Sequence, residues 1–161
     1  MLAVIALGDS ILATTWIDAT AAVPNAGSTR DPLLLETRRQ LMAFAARDLR
    51  QFDLPLAPRG TPFQQRVWSE IAAIPVGATR SYGDIASTLG TAPRAVGGAC
   101  GRNPIPLIVP CHRVLGRGWS GGYTGGAGVD TKRALLAFEG VALGSIPAQP
   151  GTSGDLLTRV P

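Results

Sequence analysis

Two apolar runs open the chain, residues 2–7 and 11–16, and the Gly8-Asp9-Ser10 break between them predicts a β-hairpin. Residues 24–28 read as loop, after which Asp31 caps a helix with Pro32 at its first position. Leu34, Leu41, Ala45 and Leu49 recur at helical spacing through Arg50, giving that helix one apolar stripe to lay against the strands. Residues 53–60, with Pro55, Pro58 and Gly60, read as a linker between residues 1–52 and a second unit over 61–144.

The second unit opens with a capping box, Thr61 and Gln64 flanking Pro62, and Phe63, Val67 and Ile71 line one helical face until Pro75 and Gly77 stop it. A shorter helix follows, capped by Ser81, with Asp84 in its first turn, Ile85 and Leu89 facing inward and Gly90 closing it. Thr91-Ala92-Pro93 then leads into a helical stretch over 93–101, and two short helices joined by a tight turn suggest a helix-turn-helix. Residues 105–109 are a branched apolar run between Pro104 and Pro110, too short for a buried helix, and so predict a buried strand. Asp130 is expected to cap a last helix that buries Leu135, Leu136 and Phe138 and ends at Gly140, and residues 145–161 read as a disordered tail.

That strand would deliver Cys111, next to the only histidine, His112. A thiol becomes a nucleophile when a neighbour lowers its pKa, so this pair is a candidate reactive centre; an inert core cysteine is the plain alternative. Side chains alternate along extended backbone, so Cys111 and His112 meet only if the chain turns or water bridges them, and a histidine base wants a carboxylate to orient it. Glu139 is the odd carboxylate. At a helix C-terminus it opposes the macrodipole by about 0.3–1 kcal/mol, which implies a cationic partner, His112 or Arg113, unless it is simply solvated.

The helix after the tight turn, Arg94-Ala-Val-Gly-Gly-Ala-Cys-Gly101, carries almost no side chain able to read base edges. Its small residues suit close approach to a minor groove with Arg94 as a probe, or equally packing against another helix. Residues 116–121 match G-x-G-x-x-G, but the further glycines at 122, 125, 126 and 128 forbid the helix that a dinucleotide site needs. The stretch reads instead as a loop walling a pocket with Trp119, Tyr123 and Thr124.

Composition narrows the classes. Of 161 residues 45% are hydrophobic, yet no apolar run reaches the roughly 18 residues of a membrane span, and no charged n-region precedes an apolar core at the start, so a cytoplasmic protein is expected. Two cysteines and one histidine make no zinc site without carboxylates, so neither metal nor cofactor is expected, and a Cys100–Cys111 disulfide would lock the proposed nucleophile. A net charge of +4 favours a polyanionic partner, and the excess of arginine over the single Lys132 fits phosphate contacts or a GC-rich genome.

Pro110-Cys111-His112-Arg113-Val114, preceded by Asn103-Pro104 and by Arg94-Ala95-Val96-Gly97, strongly resembles the O6-alkylguanine-DNA alkyltransferases, over residues 33–143 and most densely over 63–114. The resemblance implies an α/β chain: a small, trimmed ribonuclease-H-like sheet-plus-helix domain, then a mostly helical, winged helix-turn-helix-like alkyltransferase domain. It implies a suicide repair protein, monomeric and without cofactor, whose partner is double-stranded DNA containing O6-alkylguanine, with O4-alkylthymine as a further substrate. By that resemblance Cys111 is the nucleophile, activated through water by His112 and Glu139, while Asn103 bridges the recognition helix and the active-site strand. Tyr82 pushes the nucleotide out and Arg94 replaces it in the duplex; backbone at Cys111 and Val114, with Thr124, reads the guanine, and Cys100 and Tyr123 line the pocket. The turn before Arg94 is shorter, and the glycine loop before Lys132 longer, than in many members. Alkyltransferase-like proteins, which bind such lesions but lack the cysteine, define the alternative of a non-catalytic lesion-binding helix-turn-helix protein; a cysteine hydrolase is a second rival.

Overall fold

A computed structural model describes residues 1–18 and 30–142; the expected loop at 24–28 and tail from 145 lie outside them. The hairpin forms as expected, β1 (Leu2–Leu7) antiparallel to β2 (Ser10–Trp16), with a register irregularity between Ile5 and Ala6. Gly8 makes its turn possible, with φ of 57°. Residues 53–60 are no free linker: Ile11 N–H donates to Pro55 O at 2.8 Å and Ala57 N–H to Ile11 O at 2.9 Å, laying this segment beside β2.

Helix α1 (Pro32–Ala45) starts where expected, Asp31 accepting from Leu33 N–H at 2.9 Å, but it stops short of Arg50 and turns a different face inward. Thr37, Gln40 and Phe44 are buried, whereas Leu34 and Leu41 are only half-buried and Ala45 is exposed. The physical reason is polar satisfaction. Thr37 Oγ1 donates to Leu33 O, and the Gln40 amide both donates to Asp53 O at 2.7 Å and accepts from Asp53 N–H at 2.8 Å, so neither side chain loses by leaving water. Phe44 completes the face by packing on Phe52 and Phe138, ring centroids 5.3 and 5.4 Å away.

Helix α2 (Pro62–Ala72) carries the expected capping box, with Thr61 N–H donating to Gln64 Oε1 at 2.8 Å and Gln64 N–H to Thr61 Oγ1 at 3.3 Å. It buries Val67 and Ile71 and also Trp68, whose indole N–H donates to Ala99 O at 2.9 Å; Phe63 is half-buried. A two-residue strand β3 (Arg80–Ser81) leads into α3 (Tyr82–Leu89), capped by Ser81 and closed by Gly90 at φ 62°. Helix α4 (Pro93–Cys100) follows after the tight turn, and α2, α3 and α4 enclose the main core around Ile71, Ile85, Val96 and Ile105.

The strand expected at residues 105–109 does not form. Its burial is real, with Ile105 at 0% and Val109 at 2% exposure, but the segment is a tight turn in which Val109 N–H donates to Ile105 O at 2.9 Å. Pro104, Pro106 and Pro110 remove the donors that a ladder would need, and Leu107 takes φ of 76°, so the run cannot stay extended. A single 3₁₀ turn (Cys111–Arg113) then feeds β4 (Val114–Leu115), parallel to β3. The last helix, α5 (Val129–Phe138), is not capped by Asp130: Gly128, at φ 67°, occupies that position and Asp130 lies inside the first turn, where its carboxylate favours the dipole. Leu136 is buried, while Leu135 and Phe138 are half-buried. Among the described residues no helix is long and apolar enough to cross a membrane.

Candidate active site

The proline turn positions the cysteine. Asn103 Oδ1 accepts from Ile105 N–H at 3.0 Å and its Nδ2 donates to Val109 O at 2.8 Å, which aims the same amide at Cys111 Sγ, 3.3 Å away. Asn103 N–H also donates to Cys100 O at 3.1 Å, so this residue joins the end of α4 to the turn, with no strand involved. The 3₁₀ turn separates the neighbours: Cys111 faces a cavity of about 740 Å³, while His112 points behind it and is wholly buried. Burial pushes the Cys111 thiol up, and the Asn103 donor and the charge of Lys132 act against it. Cys100 also lines the cavity as a free thiol, pushed up to about 12 by burial and by Cys111.

Glu139, at the end of α5, takes both partners that its position allowed, His112 and Arg113. His112 Nε2 donates to its Oε1 at 2.9 Å, Arg113 Nε and Nη2 donate to Oε2 and Oε1 at 2.9 and 2.8 Å, and Arg113 Nη1 donates to Ile74 O. Burial acts to raise the Glu139 pKa, but the hydrogen bonds from His112 and Arg113 win and hold it at about 2. Burial lowers the His112 pKa, outweighing Glu139, so the ring is neutral. A neutral imidazole that spends Nε2–H on a carboxylate has its lone pair on Nδ1, and that buried atom has no protein partner, which makes it the basic nitrogen.

Tyr82, at the first turn of α3, and Arg94, at the start of α4, line the cavity from one side; Tyr123 and Thr124 of the glycine loop line it from the other. Burial raises the pKa of both tyrosines. Val114 is buried beneath the cavity and is not part of its lining. Its carbonyl accepts at 2.6 Å from Lys132 Nζ, which also donates to Gly122 O at 3.2 Å. Burial brings Lys132 down to about 8, against the opposing pull of Cys111 and Cys100. Sequence reasoning missed Lys132, although its spacing of four from Leu136 puts both on one face of α5. Gly121 must remain glycine beside it: φ is 72°, and a Cβ there would lie 2.9 Å from the Tyr82 hydroxyl and 3.1 Å from Lys132 Nζ.

Comparison with known proteins places this geometry. A family model described as 6-O-methylguanine DNA methyltransferase, DNA binding domain, matches residues 62–141. The methylated-DNA–protein-cysteine methyltransferase of Methanosarcina acetivorans is 49% identical over 121 residues, which cover 73% of this chain and 76% of that protein. The chain belongs to this methyltransferase family. The constitutive member from Bacillus subtilis is 44% identical over 131 residues, 79% of this chain and 78% of its own. The structure of Mycobacterium tuberculosis OGT in complex with DNA superposes with a TM-score of 0.73 at 43% identity, over 91% of this chain and 88% of that one. With these family structures the chain shares an α/β fold, a helical domain beside a small sheet. The matched segment of the family model holds Cys111, His112 and Glu139 together with both walls of the cavity.

Proposed function

We propose that this protein repairs O6-alkylguanine in double-stranded DNA, with O4-alkylthymine as a further substrate, by turning the damaged nucleotide out of the helix into the cavity and moving its alkyl group to Cys111. The observation that carries the reading is a buried thiol, aimed by Asn103 into a cavity, with a neutral His112 held by Glu139 behind it. His112 Nδ1 takes the thiol proton through a bridging water. The thiolate attacks the alkyl carbon, an S–C bond forms as the C–O6 bond breaks, and the Tyr82 hydroxyl supplies a proton to the departing guanine. A thioether offers no leaving group to water, so each molecule acts once and the alkyl group stays.

Helix α4 suits a sequence-indifferent search, because Ala95, Gly97 and Gly98 let its backbone come close to a minor groove while Arg94 fills the gap left by the extruded base. In this reading α3, the tight turn and α4 form a helix-turn-helix with the glycine loop as its wing, and the hairpin with α1 is a reduced ribonuclease-H-like sheet. The protein acts as a monomer.

Incubation with duplex O6-methylguanine DNA tests the reading. A methyl group on the Cys111 peptide in stoichiometric yield is expected; an intact lesion would leave a binding module without chemistry, and repeated turnover would make it a hydrolase. Arg94→Ala should slow repair in duplex DNA by about tenfold or more, while sparing reaction with free O6-benzylguanine, which needs no extrusion. Equal losses on both substrates would make Arg94 a support of the fold and not a duplex probe.

A further inference from the structure

The N-terminal hairpin does more than fill out the fold. Thr14 on β2 is buried, its N–H donating to Pro104 O at 2.9 Å and its Oγ1 to Pro106 O at 2.8 Å, so the strand grips the turn that presents Cys111. Trp16, two residues on, leaves the same side of the strand, and its indole lies against Gly125 of the glycine loop, behind the cavity wall that Tyr123 forms. Its indole Nε1 and the Tyr123 hydroxyl are both fully enclosed, and neither makes a well-formed hydrogen bond. They nevertheless interact, the indole N–H acting to lower a tyrosine pKa that burial and Cys111 raise. Gly125 provides the space in which they meet: a Cβ there would stand 2.6 Å from Trp16 Nε1 and 2.8 Å from Tyr123 Cε1. On its other side Tyr123 lines the cavity beside Cys111, and its ring meets His112 edge-on, centroids 6.5 Å apart at 88°.

We propose that Trp16 is a positioning residue for the alkyl pocket, bracing Tyr123 from behind so that β2 sets how large an alkyl group can lie against Cys111. The inference rests on the alkyl-transfer reading above. A buried phenol holds one orientation only where something packs behind it, and the edge of the Trp16 indole, which shares the space over Gly125 with the Tyr123 ring, is that support. Without the brace the Tyr123 ring can swing away from the cavity, which opens room for a bulky group and loosens the fit of a small one.

The test compares single-turnover rates of the full chain on O6-methylguanine and O6-benzylguanine in the same duplex. Trp16→Phe, which keeps an aromatic ring but lacks the N–H, should raise the benzyl-to-methyl rate ratio by about threefold or more, and Tyr123→Phe should do the same. The double variant should add nothing further, because both changes break one contact. Gly125→Ala provides an independent route, since Gly125 is not among the positive-φ glycines and its added methyl would wedge indole and phenol apart with both aromatics intact. An unchanged ratio in Trp16→Phe and Gly125→Ala, both rates falling in parallel, or additive effects in the double variant would overturn the proposal. Failure of the wild-type protein to gain any alkyl group on Cys111 would instead sink the proposed function, so the two failures are distinct.

Discussion

Glu139→Gln should leave a folded protein whose alkyl transfer is about a hundredfold slower or worse, because in the proposed mechanism the carboxylate orients the neutral base and stabilises the charge it takes up with the thiol proton. In the native site Glu139 accepts from His112 Nε2 at 2.9 Å while two Arg113 nitrogens complete its shell. An amide keeps one acceptor oxygen for this cluster, but it cannot stabilise the imidazolium that forms once Nδ1 takes the thiol proton. The pH profile of Cys111 alkylation should therefore move to higher pH as well as fall in rate. An unchanged rate and profile would reduce Glu139 to a structural counter-ion for Arg113. Glu139→Ala separates the two roles, since it leaves a buried guanidinium without its partner and should destabilise the fold by about 3–5 kcal/mol.

The same carboxylate gives stability an acid limb. Its folded pKa of about 2 lies below the ordinary 4.5, so its contribution is fully present above pH 4.5 and disappears as the pH falls towards 2. On the order of 3 kcal/mol is at stake in that window, and Glu139→Gln should flatten denaturation measured across it.

Lys132→Met should have the next largest effect, and on reactivity more than on stability. The ammonium is wholly buried, holds the Val114 and Gly122 carbonyls together and is a positive charge acting to lower the Cys111 pKa. Methionine fills similar space. It leaves two carbonyls without that donor, each costing about 1–3 kcal/mol, but it also removes the penalty of burying a charge, so the two terms oppose each other and the fold should survive. Cys111 has no such compensation. Its thiolate loses the lysine charge, and alkylation by free O6-benzylguanine at neutral pH should drop by about tenfold or more.

The sign of the Lys132 shift supplies a second check. Its folded pKa of about 8 lies below the ordinary 10.5, so between those values the unfolded chain holds a proton that the folded protein has lost, and wild-type stability should rise with pH across that range. Lys132→Met should abolish the rise, and the bend near pH 8 that loss of the ammonium imposes on the wild-type alkylation profile should vanish with it. A variant that still bends there would clear Lys132 of any electrostatic part and leave it as a tether of the loop.

What the chain reveals by itself is what a few neighbouring residues decide among themselves. The hairpin, the capping box at Thr61, the Ser81 cap and the Gly90 stop all form as read, because each is satisfied within four or five residues. Cys111 beside His112 was equally legible, and the helix dipole marked Glu139 as a residue needing a cation. Only the tertiary structure decided between the two candidates: Arg113 is the cation, and His112 joins it as a neutral donor. Apolar patterning also placed residues 105–109 inside without showing that three prolines and the Asn103 amide would fold them into a turn. It could not place Thr37, Gln40 or Lys132 in the interior, because a polar side chain is buried only where distant carbonyls and amides await it, and their arrival is a property of the assembled fold. Trp16 is the extreme case: its reach from β2 to Tyr123 spans over a hundred residues of sequence, and no local pattern records it.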